Sequence, residues 1–427
     1  MTKRNKNLKE IRSVHTLIVG VDIAKRTHWA RTLDGSTGIE VGSAFFFQNS
    51  INGFSRLLGR MHRTKEQIGA KNIVVAMEPS GHYWKPLASY LVNAGIPVVI
   101  VNPYHVKKQK ELDDNSPTKN DRKDALIIAT LTWEGRFFRC YLPKGIWAEL
   151  RGYTQTRHRQ KAKLNAAQNN LVAILDEYFP EYLKVFKNLL GKASLYILTH
   201  RPFPADLKQL TTEELTAELK AASGGKVGQK RAVLLLAAAN ESIGVPEGLG
   251  AARLRLTQCL EEIFFWQKQL LQTEAAMEKA LAKTGLAEYL LSIPGIGIVT
   301  AASFLGEVGD FTRYEDWRQI RKLAGYNLTI NQSGDSKKGV TKISKRGRAG
   351  LRSILYQAAL VLVAKNPQFK ALYRYLTTRP QNPLKSKQAL VVIACKLLRV
   401  MFTLAKEKRL YDPEKVLGSS RRQQLAA

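Results

Sequence analysis

Four carboxylates in the first third of the chain have the types and spacing of a metal-binding cluster. Asp22 lies inside the apolar run LIVGVDIAK, and Glu78 ends a second run, VVAMEPSG. Asp121 and Asp124 are three residues apart at the start of a helical pattern, so they share one helix face. An all-oxygen set suits a hard cation such as magnesium. Two such ions can hold the attacking and departing oxygens of a phosphodiester.

Three of the four carboxylates also have an ordinary structural explanation. Asp121 could cap the helix that it begins, and Asp124 could interact with the positive end of that helix. Asp22 could pair with Lys25. The order of the four acids, within one α/β pattern in a strongly basic chain, favours the metal-binding interpretation.

The elements that must position these residues alternate between strands and helices. Predicted strands cover 15–24, 43–48, 72–77 and 97–101, and predicted helices cover 51–63, 83–93 and 121–134. Continuous apolar strands that alternate with amphipathic helices indicate an α/β layer with a mixed sheet.

Beyond this layer the pattern becomes helical. The stretch 147–190 is basic and helical, 201–250 is interrupted by Pro and Gly, and 251–283 has near-heptad apolar spacing. We expect an antiparallel helical or coiled-coil arm, with a packed helix of an ordinary bundle as the alternative. The predicted domains are 1–145, 146–285 and 286–427, the last mostly α-helical.

The charge composition of the chain indicates what kind of molecule it binds. The chain carries 67 Lys+Arg against 35 Asp+Glu, a formal net charge of +32. The segment 335–427 alone holds 21 Lys+Arg against 4 Asp+Glu, more than half of the excess. Such a surplus favours a polyanionic partner such as nucleic acid. The longest apolar run, 389–405, contains Lys396 and Arg399, which argues against a membrane protein.

The cysteines and the N-terminus favour a reduced, cytoplasmic compartment. Cys140, Cys259 and Cys395 are isolated from each other and from histidines in zinc spacing, so we interpret them as packing residues. The basic, polar N-terminus does not have the pattern of a signal peptide.

Four segments together resemble the DEDD-type insertion-sequence transposases of the IS110 family. They are GVDIAK at 20–25, MEPSGHYWKPLASYLVNAG at 77–95, VNPYHVKK at 101–108 and TKNDRKDA at 118–125. The resemblance implies a RuvC-like N-terminal domain with an RNase H fold. It also implies that Asp22, Glu78, Asp121 and Asp124 form the family's magnesium-binding tetrad, holding one or two ions.

The C-terminal half carries a second resemblance, to the family's transposase domain. Its blocks are LAGY at 323–326, NQSGDS at 331–336 and ISKRG at 343–347, followed by Leu351 and Arg352. The match implies that Ser333 is the nucleophile, with Ser336 and Ser344 as rivals, although Ser344 could instead cap a helix that begins near Lys345. Gln332 departs from some relatives, which have an acid there. Candidate phosphate-binding side chains nearby are Lys337, Lys338, Lys342, Lys345, Arg346, Arg348 and Arg352.

A glycine turn precedes this block. The sequence SIPGIG at 292–297 looks like a helix-hairpin-helix turn, in which Gly295 and Gly297 would let backbone N–H groups approach a phosphate. A plain turn between two helices is the alternative.

The resulting expectation is a transposase that cuts and rejoins donor and target DNA by serine attack. Resemblance further implies a structured guide RNA and a homo-oligomer, a dimer or a tetramer. The first alternative is a RuvC-like nuclease that uses water, or a site-specific DNA invertase. The second, from a different class, is a non-catalytic RNA- or DNA-binding protein.

Overall fold

The structure, a computed structural model, describes residues 14–114, 121–330 and 341–417, together with 5, 7, 8 and 11 near the N-terminus. The side chains of residues 113, 114, 121, 122, 330 and 341 lie outside this description. The chain divides into two compact units, Met1–Leu142 and Pro143–Ala427.

The first unit is a mixed α/β layer. Its elements in chain order are β1 (Thr16–Asp22), β2 (Thr27–Asp34), β3 (Phe45–Gln48), α1 (Ile51–Gln67), β4 (Asn72–Met77), α2 (Trp84–Asn93), β5 (Val98–Val101), α3 (Pro103–Asp114), α4 (Asp121–Trp133) and β6 (Phe137–Arg139). The strands form one sheet in the order β3-β2-β1-β4-β5-β6. The sheet is parallel across β1, β4 and β5 and antiparallel at β1–β2, β2–β3 and β5–β6. The predicted mixed sheet is therefore confirmed.

Two strands and one helix of this unit were not predicted. The strand β2 (THWARTLD) alternates between buried and half-buried positions over most of its length, unlike the continuously buried β1 beside it. A search for continuous apolar runs misses such a strand, because its outer face carries polar side chains. The helix α3 is strongly polar, and β6 has only three residues.

The second unit is almost entirely helical. Its elements are α5 (Ile146–Tyr178), α6 (Tyr182–Val185), α7 (Lys192–His200), α8 (Pro204–Leu207), α9 (Thr212–Ser223), α10 (Gln229–Asn240), α11 (Leu249–Ala282), α12 (Ala287–Leu291), α13 (Ile298–Val308), α14 (Trp317–Leu323), β7 (Leu328–Ile330), β8 (Thr341–Ile343), α15 (Ala349–Lys365), α16 (Pro367–Thr378), α17 (Ser386–Glu407) and α18 (Glu414–Leu417), with a short 3-10 turn at Phe311–Arg313.

The two longest helices, α5 and α11, pack antiparallel. Arg157 contacts Glu274 at 2.7 Å, and near the opposite end of the pair Cys259 donates to the carbonyl of Ala167 at 3.1 Å. Leu164, Leu171 and Ile263 are among the buried side chains of their shared core. The stretch 201–250 forms short helices around this core, because most of its Pro and Gly residues lie between helices or in a first turn. A capping box at Thr211 begins α9, and Gly224, with φ +63°, ends it.

A second core holds the C-terminal helices together. Its buried side chains include Phe304, Leu355, Phe369 and Leu397, from α13, α15, α16 and α17. The helix α17 is long and apolar enough to cross a membrane, but 56% of its most apolar window is buried within the fold. Leu397, Leu398 and Met401 of this helix are fully buried, so it is a core helix of the unit.

Candidate functional site

Two of the four candidate carboxylates lie at the ends of neighbouring parallel strands. Strands β1 and β4 pair in register up to Val21 and Met77. Asp22 and Glu78 each follow that last pair by one residue and are both half-buried. Since the strands are parallel, their carboxyl ends meet at one edge of the sheet, and the two carboxylates share that edge.

The helix α4 runs antiparallel to β1. A Cβ added to Gly20 would lie 2.1 Å from the carbonyl oxygen of Ala125, so the helix packs directly on the strand. At the other end of α4, the ring of Trp133 would lie 2.7 Å from a Cβ at Gly38, in the turn after β2. The C-terminus of α4 is therefore at the start of β1, and its first turn is at the end that carries Asp22.

This arrangement brings Asp124 to the same edge as Asp22 and Glu78. Asp124 is only 7% exposed. The backbone of Asp121 begins the same helix three residues earlier, while its side chain lies outside the description. The described side chains contain no group of three His, Cys, Asp or Glu close enough together to hold a metal. Asp22, Glu78 and Asp124 are among these side chains, and the fourth candidate, Asp121, is not.

The described carboxylates have polar partners. The Nζ of Lys110, on α3, donates a hydrogen bond to Oδ2 of Asp124, and the two groups form an ion pair. The Oγ of Ser80 donates to Oε1 of Glu78 at 2.8 Å. The four candidate ligands are all carboxylates, and the ion pair with Lys110 shows that Asp124 already has a cationic partner, so the chemistry of these donors suits a hard divalent ion.

The candidate nucleophile and part of the basic loop lie outside the described residues. These are Ser333, the rival Ser336, Lys337 and Lys338. Strands β7 and β8, which flank the segment, pair antiparallel with Ile330 opposite Thr341. The pairing therefore brings Ile330 and Thr341 side by side.

The segment after β8 is held by backbone hydrogen bonds to the end of α14 and to the residues that follow it. The N–H of Ser344 donates to the carbonyl of Asn327 at 2.7 Å, and that of Arg348 to Leu323 at 2.7 Å. A Cβ at Gly347 would lie 2.4 Å from the carbonyl oxygen of Leu323, so only glycine allows this close approach. The side chains of Lys342, Lys345 and Arg346 are exposed.

Ser344 does not cap a helix, contrary to the alternative considered for it. The helix α15 begins at Ala349, with Arg348 as its N-cap, and the Ser344 hydroxyl donates to the carbonyl of Gly325 at 3.2 Å. Lys345, where we expected the helix to begin, has φ +52°. A left-handed backbone cannot continue into a helix, which moves the helix start four residues onward.

Arg348 and Arg352 make contacts within the protein. Arg348 Nη1 donates to the backbone oxygen of Glu307 and lies 3.8 Å from its carboxylate. Burial, and then the nearby Arg151, lower the pKa of Arg348. Arg352 Nη1 donates to the carbonyl of Ala324 at 3.0 Å. Their contribution to nucleic-acid binding therefore stays a prediction.

Glu307 is a buried acid that the sequence analysis overlooked. It lies in the apolar helix α13 and is 6% exposed. Its Oε2 accepts from Arg151 Nη1 at 2.6 Å. A lone acid in the run IVTAASFLGEV is the signal that could have identified it, because a buried carboxylate needs a cationic or hydrogen-bonding partner. Glu307 links α5 to the start of α15, just after the basic loop.

The glycine turn lies between two helices, as expected. Helices α12 and α13 flank it, and Gly295 has φ +101°, a conformation that favours glycine. Gly297 is the N-cap of α13. The side chain of Asn366 donates to the carbonyl of Pro294 at 3.2 Å, which fixes the turn against α16. Phosphate binding by Gly295 and Gly297 stays a prediction.

Two family models match this chain. A DEDD-type IS110 transposase model matches residues 19–180, which contain all four carboxylates. A model described as the transposase IS116/IS110/IS902 family matches residues 287–374, which contain the glycine turn and the serine segment. The DEDD-type match indicates use of a divalent metal.

Relatives agree with these matches. A protein of insertion element IS116 from Streptomyces clavuligerus is 24% identical over 92% of this chain and 96% of its own length. A putative mini-circle transposase for IS117 from Streptomyces coelicolor is 27% identical over 75% of this chain and 78% of its own. A pilin gene-inverting protein from Moraxella bovis is 27% identical over 30% of this chain and 38% of its own. The chain belongs to the IS110 family of insertion-sequence transposases and is a DNA transposase or recombinase.

Proposed function

We propose that the protein cuts and rejoins DNA by a magnesium-assisted attack of Ser333 on a phosphodiester. The observation that carries the proposal is the sheet edge at which Asp22 and Glu78 end parallel strands while the first turn of α4 presents Asp124. The order of the strands and the position of α4 across β1 support an RNase H/RuvC-like fold for the first unit.

Asp22, Glu78, Asp121 and Asp124 are the residues that would hold one or two magnesium ions. When bound, the metal supplies positive charge to the scissile phosphate and to the departing oxygen. The protein's part is to hold the carboxylates in place. The parallel pairing fixes Asp22 and Glu78, and the contact of Gly20 with Ala125 fixes the position of α4 along the strand.

In the covalent step, the Oγ of Ser333 forms a bond to phosphorus as the bond from phosphorus to the departing DNA oxygen breaks. The serine proton leaves to a base or to water, and the departing oxygen takes up a proton and becomes a hydroxyl. The product is a phosphoserine link, whose reversal rejoins DNA without a net change in bond type. The exposed Lys342, Lys345 and Arg346 would neutralise the phosphate during this exchange.

The proposed partners are donor and target DNA, a structured guide RNA and further copies of the chain. A net charge of +32 suits both nucleic acids. With a guide RNA, base pairing would choose the sequence while the protein contacts backbone and shape. The exposed Leu254, Phe264 and Leu271 on α11 support self-association of the helical arm.

Magnesium titration of strand cleavage tests this function. The Asp22→Asn variant should lose metal-dependent cleavage at every magnesium concentration, while Glu66→Gln, which removes an exposed carboxylate of α1, should cleave as the native chain does. Magnesium-dependent cleavage that survives Asp22→Asn would contradict the metal site. No metal-dependent cleavage in any form of the protein would favour a nucleic-acid-binding protein.

Two further experiments distinguish the proposed transposase from a nuclease and from an invertase. A RuvC-like nuclease that uses water would keep cleaving DNA as the Ser333→Ala variant, whereas the proposed transposase would not. An invertase shares the strand-exchange chemistry and is supported by the partial similarity to the pilin gene-inverting protein. It would invert a segment within one molecule, whereas the transposase would join the element to a separate target.

A further inference from the structure

We propose that a basic groove in the helical middle of the chain binds the phosphodiester backbone of a nucleic-acid duplex. We call it the insertion groove, and it has a volume of about 990 Å³. It lies between the segment after α6, the N-terminus of α7 and the turn that joins α9 to α10. Its cationic lining residues are Lys184, Lys187, Lys192, Lys226 and Arg231. The proposal takes from the proposed function only that nucleic acid is the partner.

The groove is basic because most of the cations of the surrounding segment line it and the acids do not, although the segment as a whole is nearly neutral. Residues 179–248 hold nine Lys+Arg and seven Asp+Glu, so the segment is close to neutral. Five of the nine cations line the groove, and its lining includes none of the seven acids. A concave surface that collects one sign of charge from a nearly neutral segment concentrates the attraction for an anion.

Three of the seven acids of this segment have partners outside the lining of the groove. Glu218 pairs with Arg201 at 2.9 Å, and Asp206 pairs with Arg253 at 2.7 Å. Glu181 accepts from the hydroxyl of Ser242 at 2.7 Å. By contrast, the salt bridges found in the described part of the chain include none of the five groove cations. All five are exposed, and Lys184 interacts electrostatically with an acid of the segment, Glu181.

Two local features orient positive charge into the groove. Arg231 Nη1 donates to the carbonyl of Val185, and its guanidinium lies 5.6 Å from the ring centroid of Phe186. One cation is therefore ordered before any ligand binds. The helix α7 begins at Lys192 with Gly191 as its N-cap, and no side-chain hydrogen bond caps it among the described residues. Its first-turn N–H groups and helix dipole add to the positive field.

The lining fits a phosphate backbone better than bases. Four of its five cations are lysines, which contact phosphates as flexible point charges. The aromatic side chain in the lining, Phe186, is 7% exposed and packs in the core with Tyr182, so it offers no face on which a base can stack. A duplex presents phosphates on its outside and keeps its bases stacked. The groove would therefore position a duplex without reading its sequence.

The test is equilibrium binding of the full-length protein to a short DNA duplex and to the RNA duplex of the same sequence, by fluorescence anisotropy over a range of salt. The groove variant is Lys187→Glu with Lys192→Glu. The matched control is Lys208→Glu with Lys268→Glu, which makes the same charge change at two exposed positions of the helical middle outside the groove. Circular dichroism confirms that both variants are folded, and Lys187→Gln with Lys192→Gln is the milder second variant.

We expect the groove variant to bind at least about tenfold more weakly than the control. The slope of log K against the logarithm of the salt concentration should be smaller in magnitude by about two, because about two fewer counterions are released on binding. Weaker binding of the groove variant to both duplexes supports a site for any phosphodiester backbone. Weaker binding to only one duplex supports the site and shows which nucleic acid it binds. Equal affinity and equal salt slope for groove variant and control, on both duplexes, would overturn the proposal. That result would leave the proposed function untouched, because magnesium-dependent cleavage and its loss in Asp22→Asn are measured separately.

Discussion

The ammonium of Lys110 forms an ion pair with the carboxylate of Asp124, one of the four acids proposed to bind magnesium. Lys110 lies on α3, and Asp124 lies on the first turn of α4. The side chain of Asp124 is 10% exposed and that of Lys110 is 33% exposed. The lysine therefore neutralises a nearly buried carboxylate, and a metal ion would compete with it for the same oxygen atoms.

Lys110→Met tests this competition. Without its ammonium, Asp124 loses the neutralising charge, so the metal-free protein should lose about 1–2 kcal/mol of stability, allowing for the exposure of Lys110. Added magnesium should raise the melting temperature of the variant by more than that of the native chain, because no ammonium must be displaced. The control is Lys108→Met, which breaks a solvent-exposed pair with Glu111 and should leave stability nearly unchanged. An unchanged magnesium response would contradict the competition.

Gly20→Val tests the contact that places α4 across β1. The new side chain would meet backbone atoms, the Ala125 oxygen at 2.1 Å and the Ala129 nitrogen at 2.6 Å, and neither can move without displacing the helix. We expect a loss of about 3 kcal/mol or more in the free energy of unfolding, measured by urea denaturation. Gly59→Ala is the control, since nothing lies within 4 Å of a Cβ there. It should stabilise α1 by about 0.5–1 kcal/mol. Equal stability of the two variants would mean that the helix does not pack on Gly20.

Glu307→Gln tests the buried acid beside the basic loop. The substitution leaves Arg151 and Arg348 without their shared carboxylate, which is 8% exposed. The two arginines retain some solvent contact, so we expect a loss of about 2–3 kcal/mol in thermal or urea unfolding. Glu274→Gln breaks a more exposed pair with Arg157 and should cost less than about 1 kcal/mol. A loss no larger than this control would show that Glu307 does not fix the start of α15.

His28 should make the stability of the first unit depend on pH. It is fully buried between aromatic rings, and its Nδ1 accepts from the N–H of Ala24 at 3.2 Å. Burial lowers its pKa below the ordinary 6.5, with an opposing contribution from Asn49. The unfolded chain binds a proton that the folded chain does not, so stability is present above about pH 6.5 and falls as the pH drops below it.

The comparison of native and His28→Asn proteins isolates this contribution. Asparagine keeps a hydrogen-bond acceptor near the Nδ1 position but does not titrate. Urea denaturation between about pH 7.5 and about pH 5.5 should show a steeper fall in stability for the native chain than for the variant. Parallel curves would mean that His28 titrates alike in the folded and unfolded states.

Much of the first unit could be predicted from the sequence. Strand β4 was predicted with its observed bounds, and β1 and α4 to within two residues at either end, because each is a continuous apolar or amphipathic segment. The placement of Asp22 and Glu78 followed from their position at strand ends. Strand β2 was missed because its polar outer face breaks the apolar run, although it pairs with β1 along nearly its whole length.

Contacts between distant segments were harder to anticipate. The pair of Lys110 with Asp124 depends on how α3 packs beside α4, and α3 itself is polar enough to resemble a loop. The shift of the α15 start from Lys345 to Ala349 depends on backbone hydrogen bonds to residues 323–327, which local sequence does not encode. The insertion groove likewise depends on the packing of short helices.

The most direct test of the central claim is trapping of a covalent protein–DNA adduct. The purified protein, with any RNA that co-purifies, is incubated with magnesium and DNA that carries the element's end junction, and is then denatured. Ser333→Ala and Asp121→Ala are run in parallel. We predict an adduct for the native chain that is absent from both variants. Cleavage without an adduct, undiminished in Ser333→Ala, would contradict serine attack and leave a RuvC-like nuclease.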